Sequence, residues 1–367
     1  MTKPDEPSSR RDFLAGRSAR QVLVKLVAET SPQTAAPVAP APASRPARPL
    51  LHVSRDAMAC EFEIFFDPVR YPSGTDVSVV ALDLIAALED QLTVYRDNSE
   101  VSRLNAIASF RPVEVEAGLF QLLQRAQELH QQTGGAFDVT AGRLTKTWGF
   151  FRREGRMPTQ AEIDEALATV GAESLQLDAE RQTVQFLKPG AELNLGAIGK
   201  GYALDRAADL LADKGLADCL LHGGNSSVLA RGQRDEQSNH WTVALKHPLR
   251  PTERMAEFHL RNQALGTSGS GSQYFHHGGR RYGHIIDPRT GWPAERILTS
   301  TVIAPTAAEA DALATALYVM NLDEAGAFSR QRPDVASLLV THGKHPGKIE
   351  LHAFNLAADA WKNLLAE

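Results

Sequence analysis

Hydrophobic and polar positions alternate along the first part of the folded sequence. Between residues 59 and 66, apolar side chains occupy every even position and glutamates occupy two of the odd ones, which is typical of a half-buried strand. Apolar residues then recur at helical spacing from Val77 to Leu88, behind Thr75 and Asp76 as candidate N-caps. A strand followed by an amphipathic helix is therefore predicted to begin the domain.

Two more helical segments and a hairpin follow. A helix is predicted from Leu119 to Leu129, and the pair Gly134-Gly135 is typical of the end of such a helix. Another helix is expected around residues 161–170. Alternating residues near Leu175 and Val184 predict a β-hairpin.

The second half of the chain mixes short strands and helices. Strands are predicted at residues 217–221, 241–246, 256–260, 298–304, 335–341 and 349–354, and helices at about 200–214, 307–320 and 356–365. Thr306 and Glu309 form a capping-box pattern that marks the start of one helix. Because strands and helices do not alternate strictly, the pattern indicates an α+β fold.

The first 50 residues differ in composition from the rest. Ser9–Leu14 resembles the twin-arginine export pattern, but charged residues interrupt the stretch behind it, so a short amphipathic helix over Val22–Val27 in a vestigial or uncleaved leader is the alternative. Residues 31–50 are rich in Ala and Pro, which favours a disordered linker. We expect a leader and linker over residues 1–50 and one domain over 51–367. A working leader implies the periplasm or cell envelope, and otherwise the protein is cytoplasmic.

Composition narrows the classes of function. The 367 residues carry a net charge of −5, and no basic patch points to nucleic acid as a partner. Cys60 and Cys219 lie far apart without metal-site or redox spacing. No apolar run approaches 18 residues, so no transmembrane span is predicted.

A glycine-rich segment leads into one predicted helix. Asn194–Gly201 reads Asn-Leu-Gly-Ala-Ile-Gly-Lys-Gly, and glycines at a helix N-terminus let backbone N–H groups approach an anion while Lys200 adds positive charge. The spacing differs from that of a Walker A loop. The segment predicts a phosphate site, and a turn selected for tight packing is the alternative.

A carboxylate and a hydroxyl share one side of the predicted helix at 307–320. Asp311 and Thr315 are four residues apart, opposite an apolar stripe. Both offer hard oxygen atoms to Mg²⁺. The alternative is a solvated helix face that has no ligand.

The loop Gly283–Pro293 carries an imidazole, a carboxylate and a hydroxyl between two prolines. These groups belong to His284, Asp287 and Thr290. Asp and Thr in such loops also bond neighbouring backbone, so an ordinary surface turn is the alternative. With the polar, Gly-containing segments at 133–144, 194–201, 223–225 and 267–271, the loop points to one shared polyphosphate ligand.

Together these blocks resemble the ApbE family, the FAD:protein FMN transferases. The resemblance runs from about Leu51 to Met320 and follows the order of the family's motifs. The matching blocks are Met58, Tyr95–Asn105, Gly135–Thr140, Leu195–Asp205, Gly223–Asn225, Thr267–Gly269, His284–Gly291 and Ala310–Ala316.

The resemblance implies a fold and an activity. The fold would be T-fold-like, with mixed sheets, flanking helices and an active site in a cleft between two lobes. The activity would use Mg²⁺ as cofactor and FAD as substrate, and would transfer FMN to a Thr or Ser hydroxyl of an acceptor protein with release of AMP.

It also implies roles for individual residues. His284 is similar to the histidine proposed as general base, while Asp287 and Thr290 would hold its loop and bond the ligand. Metal ligands would be Asp311, Thr315 and the carbonyl of Ala197. The FAD-binding residues would be Met58, Tyr95, Asn105, Asp138, Lys200, Gly201, Asp205, Ser268 and Gly269.

Two turns depart from the family pattern and keep other functions open. Met58-Ala59-Cys60 replaces the usual Met-Gly-Thr, and Asn225 follows the Gly-Gly pair where an acidic residue is common. The second change removes a carboxylate. An FAD pyrophosphatase or a non-catalytic FAD-binding protein of the same fold are the alternatives.

Overall fold

A computed structural model describes residues 49–269, 271 and 273–365, together with the backbone of residues 23–27. Within these residues the central element is a nine-stranded antiparallel sheet. In spatial order its strands are β1 (Leu23–Val27), β2 (Leu50–Ala57), β3 (Cys60–Phe66), β7 (Cys219–Gly223), β8 (Ser227–Arg231), β11 (Gln263–Gly269), β14 (Thr299–Ala304), β15 (Ala336–His342) and β16 (Ile349–Phe354).

Smaller sheets accompany the central one. One consists of β9 (Trp241–His247), β10 (Arg250–Leu260) and β17 (Trp361–Asn363), and another of β4 (Val113–Glu114), β5 (Leu175–Asp178) and β6 (Thr183–Phe186). Strands β12 (Tyr274–His277) and β13 (Arg280–Gly283) form a hairpin.

The α-helices lie between these strands in the chain. They are α1 (Gly74–Leu92), α2 (Glu100–Ile107), α3 (Ala117–Gln132), α4 (Gly142–Thr147), α5 (Gln160–Leu167), α6 (Gly199–Asp213), α7 (Ala307–Val319) and α8 (Leu322–Gln331). None of the helices in the described ranges is both long and apolar enough to cross a membrane.

The two faces of the central sheet bury different cores. Alternate residues such as Ile64 and Leu221 face a large core to which α1, α6 and α7 contribute. The intervening residues of the same strands, such as Phe65 and Leu220, face a second core shared with the β9–β10–β17 sheet. Because side chains alternate along a strand, strands such as β3 and β7 contribute to both cores.

A third core forms a small lobe around Trp148. Leu144 and Ile163 come from α4 and α5, and Tyr282 comes from the β12–β13 hairpin. The indole Nε1 of Trp148 donates a hydrogen bond to the carbonyl of Gly291, 2.8 Å away. This lobe therefore fixes the loop that contains His284 against one side of the molecule.

Several predicted elements are confirmed and others are corrected. The strand at 59–66, the helix at 119–129 and the hairpin near 175–184 are present as β3, α3 and β5–β6. Thr75 and Asp76 do not cap α1, which begins behind Ser73 without a side-chain cap. The capping box at α7 is half formed, since Thr306 accepts from the Glu309 N–H while the Glu309 carboxylate pairs with two arginines.

The helix predicted over residues 356–365 is wrong. Residues Trp361–Asn363 form β17, which pairs antiparallel with β10, and the Trp361 ring stacks on Phe258 with centroids 6.3 Å apart. The apolar spacing resembles that of a helix, but the open edge of β10 supplies backbone partners that a helix would leave unused.

In the N-terminal region, the segment for which a short amphipathic helix was the alternative forms a strand. Residues Leu23–Val27 form β1, which pairs antiparallel with β2. Pairing with β2 satisfies the backbone groups on one side of this edge strand. The twin-arginine pattern at Ser9–Leu14 and the Ala- and Pro-rich linker, up to residue 48, lie outside the described residues.

Candidate active site

A cavity of about 400 Å³ lies between the small lobe and one end of the central sheet. Ala141, Phe150 and Ile286 line it from the lobe, and Ser226, Thr267 and Asp311 line it from the sheet and α7. The predicted site residues that also line this cavity are Tyr95, Asp138, Ala197, Lys200, Ser268, Gly269, His284 and Thr315.

The imidazole of His284 is held in one tautomer. Its Nδ1 lies 3.1 Å from the carbonyl oxygen of Gln273, and because a carbonyl only accepts, Nδ1 carries the hydrogen. The Gln273 side chain donates to the carbonyl of Phe150, which fixes the partner. Burial and the nearby Lys200 lower the pKa of His284, against the opposing effect of Gln273. The neutral ring therefore leaves Nε2 free to accept a proton.

Asp311 is a buried carboxylate at the inner wall of the cavity. It accepts hydrogen bonds from the backbone N–H of Gly201 at 2.8 Å and from the Ser227 hydroxyl at 2.7 and 2.9 Å. Burial raises its pKa, and the positive charge of Lys200 opposes that effect. A carboxylate in such a position favours an additional cation, because buried charge is costly without compensation.

Two hydroxyls extend this oxygen-rich wall. The Thr315 Oγ lies 3.0 Å from the Ser268 Oγ, and it also donates to the Asp311 carbonyl, 3.2 Å away on the same helix. The residues present therefore fit a hard cation such as Mg²⁺, which prefers carboxylate, hydroxyl and carbonyl oxygens. The alternative for Asp311 and Thr315 was a solvated helix face that has no ligand. That alternative is excluded because α7 is buried on nearly every side.

Gly201 has a different place from the one predicted. Its N–H points to Asp311 and it does not line the cavity. A Cβ at this position would overlap the carbonyl of Ala307, so the glycine allows α6 and α7 to pack closely. Gly201 therefore has the packing role that was the alternative for this segment. Its neighbours Lys200, Gly196 and Ala197 do line the cavity.

Asp287 and Thr290 also lie outside the cavity lining. The Asp287 carboxylate accepts hydrogen bonds from the backbone N–H and the guanidinium of Arg289. The same guanidinium also donates a hydrogen bond to Glu324. Thr290 accepts from the backbone N–H of Trp292. Both residues therefore hold the loop, as predicted, through bonds within it.

Three further predicted FAD residues serve the scaffold. The Asp205 carboxylate accepts from the backbone N–H groups of Ala307 and Ala308 at the start of α7. Asn105 exchanges two hydrogen bonds with the backbone of Leu193. Met58 packs against the large core at the β2–β3 turn. None of the three lines the main cavity, although Asn105 lines a smaller neighbouring one.

Asp138 and Tyr95 both line the cavity, but the first is bonded to its neighbours and the second is exposed. The Asp138 carboxylate accepts from Thr140 and from the backbone of Ala172, so most of its bonding capacity is used internally. Tyr95 is 65% exposed, and its ring stacks on Phe151 with centroids 4.7 Å apart. Tyr95 therefore offers an aromatic surface at the cavity rim.

Sequence reasoning missed Ser227 and Gln273, the partners of Asp311 and His284. Ser227 lies two residues after the Gly-Gly-Asn turn, and it pairs with Gly223 at the end of the β7–β8 hairpin. No local pattern shows that this hydroxyl meets a carboxylate 84 positions later. Such partnerships arise from the order of strands in the sheet.

Comparison with known proteins identifies the family of the chain. The model of the ApbE family matches residues 58–339. The chain belongs to the ApbE family. A protein of Klebsiella pneumoniae named FAD:protein FMN transferase is 34% identical over 264 residues, covering 71% of this chain and 81% of that protein. A Treponema pallidum protein of the same name is 33% identical over 270 residues, covering 70% of this chain and 75% of its own.

Solved structures show the same fold. The ApbE protein of Thermotoga maritima superposes with a TM-score of 0.73 at 28% identity, covering 82% of this chain and 96% of its own. The flavin transferase ApbE of Vibrio cholerae gives a TM-score of 0.72 at 28% identity, covering 83% and 97%. The predicted α+β fold is therefore confirmed.

Proposed function

We propose that this ApbE protein transfers FMN from FAD to a Thr or Ser hydroxyl of an acceptor protein, with release of AMP. The observation that carries the proposal is the presence of His284, Lys200 and Asp311 on the walls of one cavity. Together they provide a proton acceptor, a positive charge and a buried carboxylate suited to a metal ion, which are the groups that phosphoryl transfer needs.

Mg²⁺ is the cofactor that these residues would hold. Asp311, Thr315 and the carbonyl of Ala197 would bind it, and Ser268 lies beside Thr315. Bound there, the ion would neutralise charge on the pyrophosphate oxygens of FAD and so lower the barrier to attack on phosphorus.

The reaction then divides between the protein's own groups. The acceptor oxygen forms a bond to the FMN phosphorus while the bond from that phosphorus to the AMP oxygen breaks. Nε2 of His284 takes the proton of the attacking hydroxyl, since Nδ1 is occupied by Gln273. Lys200 would lie beside the phosphates and offset charge on the departing AMP. Tyr95 would cover a planar ring of the substrate at the rim.

The test is incubation of the full chain with FAD, Mg²⁺ and an acceptor protein that bears a flavinylation motif. Covalent flavin on the acceptor, measured by mass spectrometry, and an equal amount of AMP, measured by chromatography, are expected. FMN release at the same rate without an acceptor would indicate the pyrophosphatase instead, and FAD bound without turnover would indicate the non-catalytic protein.

His284→Gln separates the role of the base from binding. The glutamine keeps the volume and a polar group but does not act as a base near neutral pH, so we expect transfer to fall by about 10²-fold or more while FAD binding persists. His277→Gln, an exposed residue of the neighbouring hairpin, is the matched control. Equal transfer by the two variants would contradict the role of His284.

A further inference from the structure

A second group of metal-binding side chains lies on the other face of the central sheet. One ligand atom each from His52, Glu61 and Glu63 lie within 4.8 Å of one another. His52 and Glu63 stand on adjacent strands β2 and β3, and His52 Nε2 is 2.9 Å from Glu63 Oε1. These side chains belong to the face that carries the second core, whereas Asp311 belongs to the helix α7 on the opposite face.

A histidine on strand β7 lies beside this group of three, although its ligand atom is not within 4.8 Å of all the others. His222 is registered directly opposite Glu63, and its Nδ1 lies 3.8 Å from Glu63 Oε2, beyond hydrogen-bonding distance. Its Nε2 is enclosed and has no hydrogen-bond partner among the described residues. Nδ1 of this ring faces the Glu63 carboxylate at a distance too long for a hydrogen bond, and a cation between them would give both groups a partner.

The surrounding residues hold these ligands in place. The Phe65 ring stacks on His52 at 4.6 Å between centroids and meets His222 edge-on at 5.4 Å, so both imidazoles have fixed planes. Ser54 donates to the Glu61 carboxylate at 2.8 Å. Ligands oriented by such neighbours are typical of metal sites in proteins.

We propose that His52, Glu61, Glu63 and His222 form a binding site for a divalent transition-metal ion of the Zn²⁺ class. Two imidazoles and two carboxylates suit such an ion better than Mg²⁺. Ligand atoms about 2.1 Å from a tetrahedral centre are about 3.4 Å apart. The distances from His52 to Glu63 Oε1 and from His222 to Glu63 Oε2, 2.9 and 3.8 Å, lie on either side of that value. The exposed Glu61 provides a route of entry from solvent.

The ion would tie three strands together near the active-site cavity. Strand β7 ends at Gly223, and the turn that follows contains Ser226, which lines the cavity, before Ser227, which donates to Asp311. A clamp across β2, β3 and β7 would therefore stiffen the base of that turn. This role is separate from the flavin chemistry and does not depend on it.

The test is calorimetric titration of the metal-free full chain with ZnCl₂ in buffer that contains excess Mg²⁺. One equivalent of tightly bound Zn²⁺ is expected, and His52→Gln or Glu63→Gln should weaken it by at least about tenfold. Glu61→Gln, at an exposed position, serves if the other variants fail to fold. His277→Gln and Asp311→Asn are controls that should bind Zn²⁺ as the unaltered protein does.

A spectroscopic measurement identifies the ligands. With one equivalent of Cu²⁺, the electron paramagnetic resonance spectrum should show coupling to two imidazole nitrogens, and to one in His222→Gln. The proposal is overturned if the unaltered protein binds no stoichiometric ion, or if the ligand variants titrate like the controls.

Discussion

At the scale of single residues, the turn between β2 and β3 contains strained backbone. Met58 and Ala59 have φ angles of 49° and 60°, in the left-handed region that L-residues other than Asn and Asp seldom adopt. A two-residue hairpin turn with two positive φ angles favours glycine at its second position. The substitution of Ala for the glycine expected there therefore costs stability in the folded state.

Ala59→Gly should raise the free energy of unfolding by about 0.5–1 kcal/mol, because glycine adopts positive φ without a Cβ clash. Urea denaturation measures the change. Ala87→Gly, at an exposed position inside α1, is the matched control and should lower the stability by about 1 kcal/mol. Equal destabilisation by both substitutions would contradict strain at the turn.

Burial is the largest cause of the lowered pKa of His284, and the positive charge of Lys200 adds to it. The lysine lowers the pKa of the buried imidazole, so Lys200→Met should raise that pKa and move the acid limb of activity to higher pH. Titration of the His284 ring signals by NMR measures the pKa directly, apart from any loss of turnover. Lys146→Met, which removes the partner of Glu192 in the neighbouring cavity, should leave the midpoint in place. An unchanged midpoint in Lys200→Met would exclude this coupling.

At the scale of elements, the contact between α6 and α7 positions the two sides of the cavity wall that contains Asp311. Asp205 of α6 accepts hydrogen bonds at the start of α7, and Gly201 brings the α6 backbone against Ala307. The same glycine donates to Asp311. The close contact of the two helices at Gly201 therefore sets both their packing and the orientation of the Asp311 carboxylate.

Gly201→Ala tests that approach. A methyl group there overlaps the Ala307 carbonyl, and the helices must separate, so we expect a loss of about 1–3 kcal/mol of stability. Gly199→Ala, two residues earlier, is the control, because its nearest neighbour would be the Leu195 Cβ at 3.9 Å. Thermal unfolding of both variants measures the difference in stability. If Gly201→Ala is no less stable than Gly199→Ala, the proposed close contact between the helices is contradicted.

Sequence patterns predicted the elements whose periodicity is local. β3 and α3 follow their apolar spacing closely, because their periodic apolar residues face the large core. β11 was missed because Gln263–Gly269 lies within the sheet with small residues and no alternation. The segment that forms β17 has helical spacing, and only the distant Phe258 and the edge of β10 make it a strand.

At the scale of the whole molecule, the sequence indicated which residue types meet at the site but not how they are partnered. Lys200, His284, Asp311 and Thr315 were predicted and do share one cavity. Gly201, Asp205 and Asp287 belong to the same motifs, yet each bonds the scaffold instead. A residue can belong to a motif because it packs the scaffold or because it contacts the ligand. Only the tertiary structure shows which of these roles each residue has.

The burial of α7 has a consequence for how the cavity opens. Asp311 and Thr315 stand on a helix enclosed by the sheet and by α6, while His284 stands on a loop at the edge of the small lobe. Amide hydrogens near Asp311 should exchange only through global unfolding, whereas those near His284 should exchange through smaller local openings. The wall that would hold the metal thus persists through the fluctuations that admit an acceptor on the opposite side.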